Sequence, residues 1–172
     1  TAADLTEGVG LPHPMLVSQQ DALLYIGSSR FVHTYDGATG ANGTFNRRAM
    51  TLPVGYEVKG FAEDEFDLVV FGDTTARTGR RGIATAFFYG LDRSALPYKK
   101  ISLEDDEVSA PFNYLGTVGC FTRNRSDNRS ALRLLEDGRF VAKFYWTGNL
   151  PLNGGVEIQN NLILWQSDGL VY

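Results

Sequence analysis

The sequence predicts an all-β fold assembled from four-stranded antiparallel units. Three observations carry this. Short runs of β-branched and aromatic residues alternate with clusters of Gly, Asn, Asp and Pro along the whole chain. No stretch holds a helical period over three turns, and TAADLTEG at the start offers one helical turn at most. The strand-like runs also recur in a fixed order with a long repeat distance.

The repeat defines the elements. Its first strands are MLVSQ (15–19), YEVKG (56–60), EVSAPF (107–112) and GVEIQ (155–159). Its second strands are LLYIG (23–27), LVVFG (68–72), TVGCF (117–121) and LILWQ (162–166), the most apolar set, as strands buried on both faces should be. The third strands are FVHTYD (31–36), GIATAFFYG (82–90), SALRLLE (130–136) and a truncated LVY (170–172). The fourth are RRAMTL (47–52), YKKISL (98–103) and RFVAKFY (139–145). First strands start 41, 51 and 48 residues apart. Four strands per unit of about 45 residues is the arithmetic of β-propeller blades. A lone meander cannot cover both its faces, whereas blades packed face to face cover each other. The expected fold is therefore a β-propeller with three full units and a partial fourth. A β-sandwich or jelly roll is the alternative.

Composition sets the outer limits. The chain has 172 residues, enough for one domain with a real core, and the whole of 1–172 reads as a single β domain. Its apolar share of 43% and charged share of 21% are ordinary for a globular protein. A net charge of −4 gives no general pull toward nucleic acid. The longest near-apolar run, Ile83 to Leu91, is too short to span a bilayer, so no membrane partner is expected. Cys120 is the single cysteine and sits in the apolar run TVGCF, where it reads as a small buried hydrophobe. The chain starts without Met and stops inside a strand pattern. The expectation is either part of a longer chain or a small closed ring completed by residues around Gly8 to Leu11.

Signature motifs are sparse. There is no recurring Trp-Asp dipeptide and no paired-glycine signature, and QSDGLVY (166–172) only half resembles the Asp-box of sialidase propellers. The phrases DALLYIGSSRFVHTYDG (21–37) and NNLILWQSDGLVY (160–172) resemble repeats in the tail-tube nozzle and tail-stabilisation proteins of short-tailed bacteriophages. The resemblance covers repeat texture alone and carries no catalytic residue. It implies a structural component of a virion, or a similar extracellular assembly, that meets other protein subunits and has no chemistry of its own.

Candidate binding residues come from loop placement. In a propeller the second-to-third turns share one end with the connections between units. Two of those turns are expected to be long, at 72–82 and 121–131. They carry Arg77, Arg80, Arg81, Arg123, Arg125 and Arg129, half of the twelve arginines. A guanidinium fork suits carboxylate and phosphate partners. LEDDE (103–107) falls on the same end and can offset that charge.

Other chemistry finds little support in the residues. The acidic runs EDEFD (63–67) and EDDE (104–107) lack calcium-loop spacing, and His13 and His33 have no third ligand nearby in sequence, so no metal or cofactor is expected. No nucleophile elbow, phosphate loop or dinucleotide fingerprint occurs, and no catalytic residue is assigned. Asn42, Asn124 and Asn128 head glycosylation-type triplets. The aromatic stretch KFYW (143–146), with Phe87, Phe88 and Tyr89, is core by pattern or a platform for sugars. Three functions follow: a structural or interaction propeller, a carbohydrate-binding module, and a propeller glycoside hydrolase resting only on loop carboxylates.

Overall fold

A computed structural model describes residues 13–37, 43–74, 82–147, 152–166 and 169–171, with backbone alone for 152–157, 164–166 and 169–171. It is all-β, and no helix occurs among the described residues. The first sheet is β1 (Met15–Val17), β2 (Leu24–Ser28), β3 (Phe31–Asp36) and β4 (Thr44–Thr51). The second is β5 (Glu57–Glu63), β6 (Leu68–Asp73), β7 (Thr85–Tyr89) and β8 (Lys99–Ser102). The third is β9 (Glu107–Tyr114), β10 (Thr117–Asn124), β11 (Arg129–Glu136) and β12 (Arg139–Thr147). A fourth, three-stranded sheet holds β13 (Leu152–Ile158), β14 (Asn161–Gln166) and β15 (Gly169–Val171). Each sheet is an antiparallel meander whose spatial order follows the chain.

Turn chemistry explains the tight hairpins. Leu115-Gly116, Asp137-Gly138 and Gln159-Asn160 all have both residues at positive φ. That is the backbone of a two-residue turn matched to strand twist, and Asp-Gly is a preferred pair for it. The expected long turn at 121–131 is corrected here. Strands β10 and β11 run to Asn124 and from Arg129, so only residues 125–128 form a turn. The polar run is tolerated because Arg125, Ser126 and Asp127 are exposed while buried Asn124 is hydrogen-bonded by the Ser126 amide and hydroxyl.

The core follows period-two alternation. On the second sheet, Leu68, Val70, Phe87 and Tyr89 face one way and meet Tyr25, Val32, Met50 and Leu52 of the first sheet side. Their neighbours Val69, Phe71, Ala86 and Phe88 face the other way and meet Val118, Cys120 and Phe140 of the third sheet. Every residue of β6 and β7 is buried as a result. Full burial of a side chain such as Phe71 contributes about 1.5–3 kcal/mol. Phe112, Phe121, Leu132, Leu134 and Trp146 then carry the third sheet onto Leu162 of the fourth.

The sheets thus stack in chain order, face on face. The first strands of successive sheets run beside one another, β1 with β5, β5 with β9 and β9 with β13. Gly60 permits this approach: a Cβ there would stand 2.5 Å from Pro111 Cδ. On the first sheet, Leu16 packs inward while Met15 and Val17 are left exposed on the opposite face. The described sheets do not close into a ring. This arrangement is compatible with a propeller-like fold.

Candidate functional site: the charged end where the inner strands begin

The site starts from an irregularity in β5. Val58 pairs with Gly72 and Gly60 with Phe71, which leaves Lys59 as the extra residue of a bulge. Bulges re-aim side chains. Here the Lys59 Nζ stands 3.1 Å from Glu57 Oε2 and 3.8 Å from Asp73 Oδ1. Both carboxylates are buried, while the lysine remains partly exposed. Asp73 ends β6, and its Oδ2 accepts a hydrogen bond from the Val108 amide at 3.2 Å. A side chain of the second sheet is thereby tied to the backbone of the third.

The third sheet adds a parallel set. Buried Asp106 accepts the Arg125 amide at 2.8 Å, and its own amide donates to the Arg123 carbonyl at 3.0 Å. Arg125 donates from Nε to Glu107 Oε1 at 2.7 Å and from Nη2 to the same oxygen. That hydrogen bond with Glu107 raises the Arg125 pKa further, with burial opposing it. Arg123 Nη1 lies 3.7 Å from Glu107 Oε2, and its Nη2 donates to Asn128 Oδ1 at 3.1 Å. Arg129 lies 3.7 Å from Asp127 and over the Tyr145 ring at 4.9 Å.

Of the six arginines singled out from sequence, the structure brings Arg123 and Arg125 together on Glu107 and sets Arg129 apart on Asp127. Arg123 stands in β10 and Arg129 in β11, with Arg125 in the turn between them. Arg77, Arg80 and Arg81 lie outside the described residues, as does Asn42. Asn124 is buried, and its Oδ1 takes hydrogen bonds from the Ser126 amide and hydroxyl.

Sequence reading missed the most buried arginine among the described residues. Arg133 donates to Asp105 Oδ2 from Nη2 at 2.9 Å, to Thr122 Oγ1 from Nε at 3.0 Å and to the Phe140 carbonyl from Nη1 at 3.3 Å. Thr122 in turn donates to Asp105, and Glu104 approaches from the surface. Cys120 is fully buried next to this network, and desolvation pushes its thiol pKa well up, away from a reactive thiolate. His33 is also fully buried, stacked on Phe45 at 5.5 Å, and accepts the Arg48 amide at 3.3 Å. Among the described residues no three His, Cys, Asp or Glu side chains converge as metal ligands.

A cavity of about 200 Å³ opens beside the bulge, lined by Pro14, Ser29, Glu57, Val58, Lys59, Val108 and Ser109. It lies where three sheets meet at the starts of their inner strands. The volume is below that of a usual drug-sized pocket. Its charged groups are the Lys59 ammonium and the Glu57 carboxylate, set with Ser29 and Ser109 against apolar Pro14, Val58 and Val108. No family model, curated protein or solved structure matches the chain.

Proposed function

We propose that this chain is a rigid interaction module, a propeller-type stack of four-stranded blades acting as a structural part of a larger assembly. The observation carrying this reading is how the charged end uses its side chains. Asp73 reaches the Val108 amide, Arg133 grips Asp105, and Arg125 grips Glu107. These groups fasten turns and neighbouring sheets to one another instead of converging on an open cleft. Arginines that arrive with their own carboxylates suit a balanced, polar contact face. The sequence resemblance to phage tail components adds a virion or extracellular setting as part of the same proposal, with other protein subunits as partners.

The test is enzymatic silence together with assembly. Purified chain is incubated with a panel of chromogenic glycosides, and its mass is followed by sedimentation as concentration rises. No turnover and reversible self- or subunit association are expected. Saturable hydrolysis by a homogeneous monomer, lost on substituting a surface carboxylate, overturns the reading.

A second reading, carbohydrate binding, has one specific observation in its favour. Phe144 is 63% exposed and stacks with Trp146 at 6.0 Å and 24°. Such a surface can take the apolar face of a sugar ring. A glycan panel with no hits removes it.

A further inference from the structure

The charged end has a counterpart at the other end of the second sheet, where β5 turns into β6 and β7 into β8. Glu63 closes β5, Asp64, Glu65 and Asp67 follow in the turn, and Asp92 stands in the loop after β7. None of these five carboxylates forms an ion pair among the described residues. The nearby cations are engaged elsewhere, Arg93 on Asp21 at 3.2 Å and Lys99 over the Phe88 ring at 5.0 Å. At the opposite end, by contrast, Glu107 holds Arg123 and Arg125, and Asp105 holds Arg133.

Apolar side chains crowd the same turns. Phe66 is 67% exposed, Leu91 66%, Leu96 70% and Tyr98 64%. Single exposed apolar residues are ordinary, but four on two adjoining loops make a patch. The Leu68–Tyr89 rung of the ladder sets the two loops side by side, and Tyr98 ties them by donating to Asp67 Oδ2 at 2.7 Å. Asp64 Oδ1 accepts the Phe66 and Asp67 amides, both at 2.9 Å. Arg93 Nη1 donates to the Tyr89 and Gly90 carbonyls, both at 3.1 Å. The patch is held in one shape, which lowers the ordering cost of binding.

Two plainer explanations fall short. Acidic turns kept for solubility account for Glu65 and Asp92, but not for Phe66 and Leu96 exposed beside them. A calcium loop needs converging oxygens. Asp64 and Asp67 each commit an oxygen to the turn or to Tyr98, and no three ligands converge among the described residues. One buried acceptor is also left over at the root of the turn. Glu63 is 8% exposed, its Oε1 takes the Gln19 amide, and its Oε2 is buried with no hydrogen-bond partner. Such an oxygen suits a donor brought from outside.

We infer that this end of the second sheet docks a cationic, apolar segment of a partner protein. Its lysine or arginine side chains meet Glu65 and Asp92, and its apolar side chains meet Phe66, Leu91, Leu96 and Tyr98. The inference rests on the reading of the chain as an interaction module and names one partner chemistry for it. The sign of the charge turns away nucleic acid and anionic lipid.

The experiment uses the full 172-residue chain and a synthetic peptide alternating Lys and Leu, followed by amide chemical shifts. Saturable shifts confined to residues 63–67 and 90–98 are expected. The double variant Glu65→Gln/Asp92→Asn should weaken binding about tenfold, and so should high salt. Phe66→Ala/Leu96→Ala, which leaves charge unchanged, should weaken it as well. Peptides alternating Lys with Ser, or Glu with Leu, should not bind there. No saturable shift at these turns overturns the inference. Equal binding of the Lys-Ser peptide, or the same shifts with calcium alone, overturns it in favour of a general cation site. Self-association abolished by Phe66→Ala/Leu96→Ala overturns it by giving the patch to a second copy. Each of these failures leaves the interaction module standing, because that reading falls only to glycoside turnover by a homogeneous monomer.

Discussion

Two arginine–carboxylate clusters occupy the same sheet and differ chiefly in burial. Arg133 and Asp105 have side chains 6% and 5% exposed, whereas Arg125 is 56% exposed against Glu107 at 23%. The buried pair has further partners in Thr122 and the Phe140 carbonyl. The outer pair faces water, which competes for both charges. Contacts of similar geometry are therefore unequal in energy. The buried one is held in place by the cost of leaving either partner alone, and the outer one mainly orients a turn.

The sharpest way to break the comparison is Arg133→Leu. It leaves the buried Asp105 carboxylate beside Cys120 with the Thr122 hydroxyl as its remaining side-chain partner, and should cost about 3–5 kcal/mol. That is a large share of the about 5–15 kcal/mol by which a domain is usually stable. Adding Asp105→Leu removes the stranded charge and should recover most of the loss. Urea unfolding of the three proteins measures both effects. If the single variant costs less than about 1 kcal/mol, burial does not separate the two clusters.

Arg125→Ala tests the other side. Its loss should stay below about 1 kcal/mol, after screening by solvent, and should shrink further as salt is added. The Asp106 bond to the Arg125 amide survives the substitution, so the 125–128 turn keeps its anchor. A loss as large as that for Arg133→Leu would mean that the turn, not the ion pair, is what the side chain supports.

The same contrast explains what could be read from sequence. The strands and their order were legible because alternation and turn residues are local properties. Leu68 and Val70 against Val69 and Phe71 already describe a strand covered on two faces. Asp137-Gly138 already describes its hairpin. Arg133 was not legible. In SALRLLE it occupies an inward position between Ala131 and Leu135, but both faces of the strand are apolar, so nothing marks which one meets Asp105. Lys59 was hidden for another reason: its role depends on a bulge created by pairing with β6, which local sequence does not encode. The two arginines on Glu107 could be located near LEDDE, but not paired atom to atom.

The smallest effect concerns an exposed pair that shifts a titration without holding the fold. Tyr98 is 64% exposed and donates to Asp67 Oδ2 at 2.7 Å. That hydrogen bond to a carboxylate, more than partial burial, raises the phenol from its ordinary 10.0 to about 12. Because the folded value lies above the ordinary one, the neutral phenol is favoured in the folded protein. Its contribution is complete below pH 10.0 and fades as pH rises toward about 12. Asp67→Asn removes the charge while keeping the backbone amide that bonds Asp64. Phenolate absorbance followed through an alkaline titration should then show the Tyr98 midpoint falling toward 10.0, with stability at neutral pH lowered by less than about 1 kcal/mol because the pair is screened by solvent. A midpoint that stays near 12 would assign the shift to burial instead of to Asp67. It would also weaken the claim that exposed pairs in this protein act on proton affinity more than on folding.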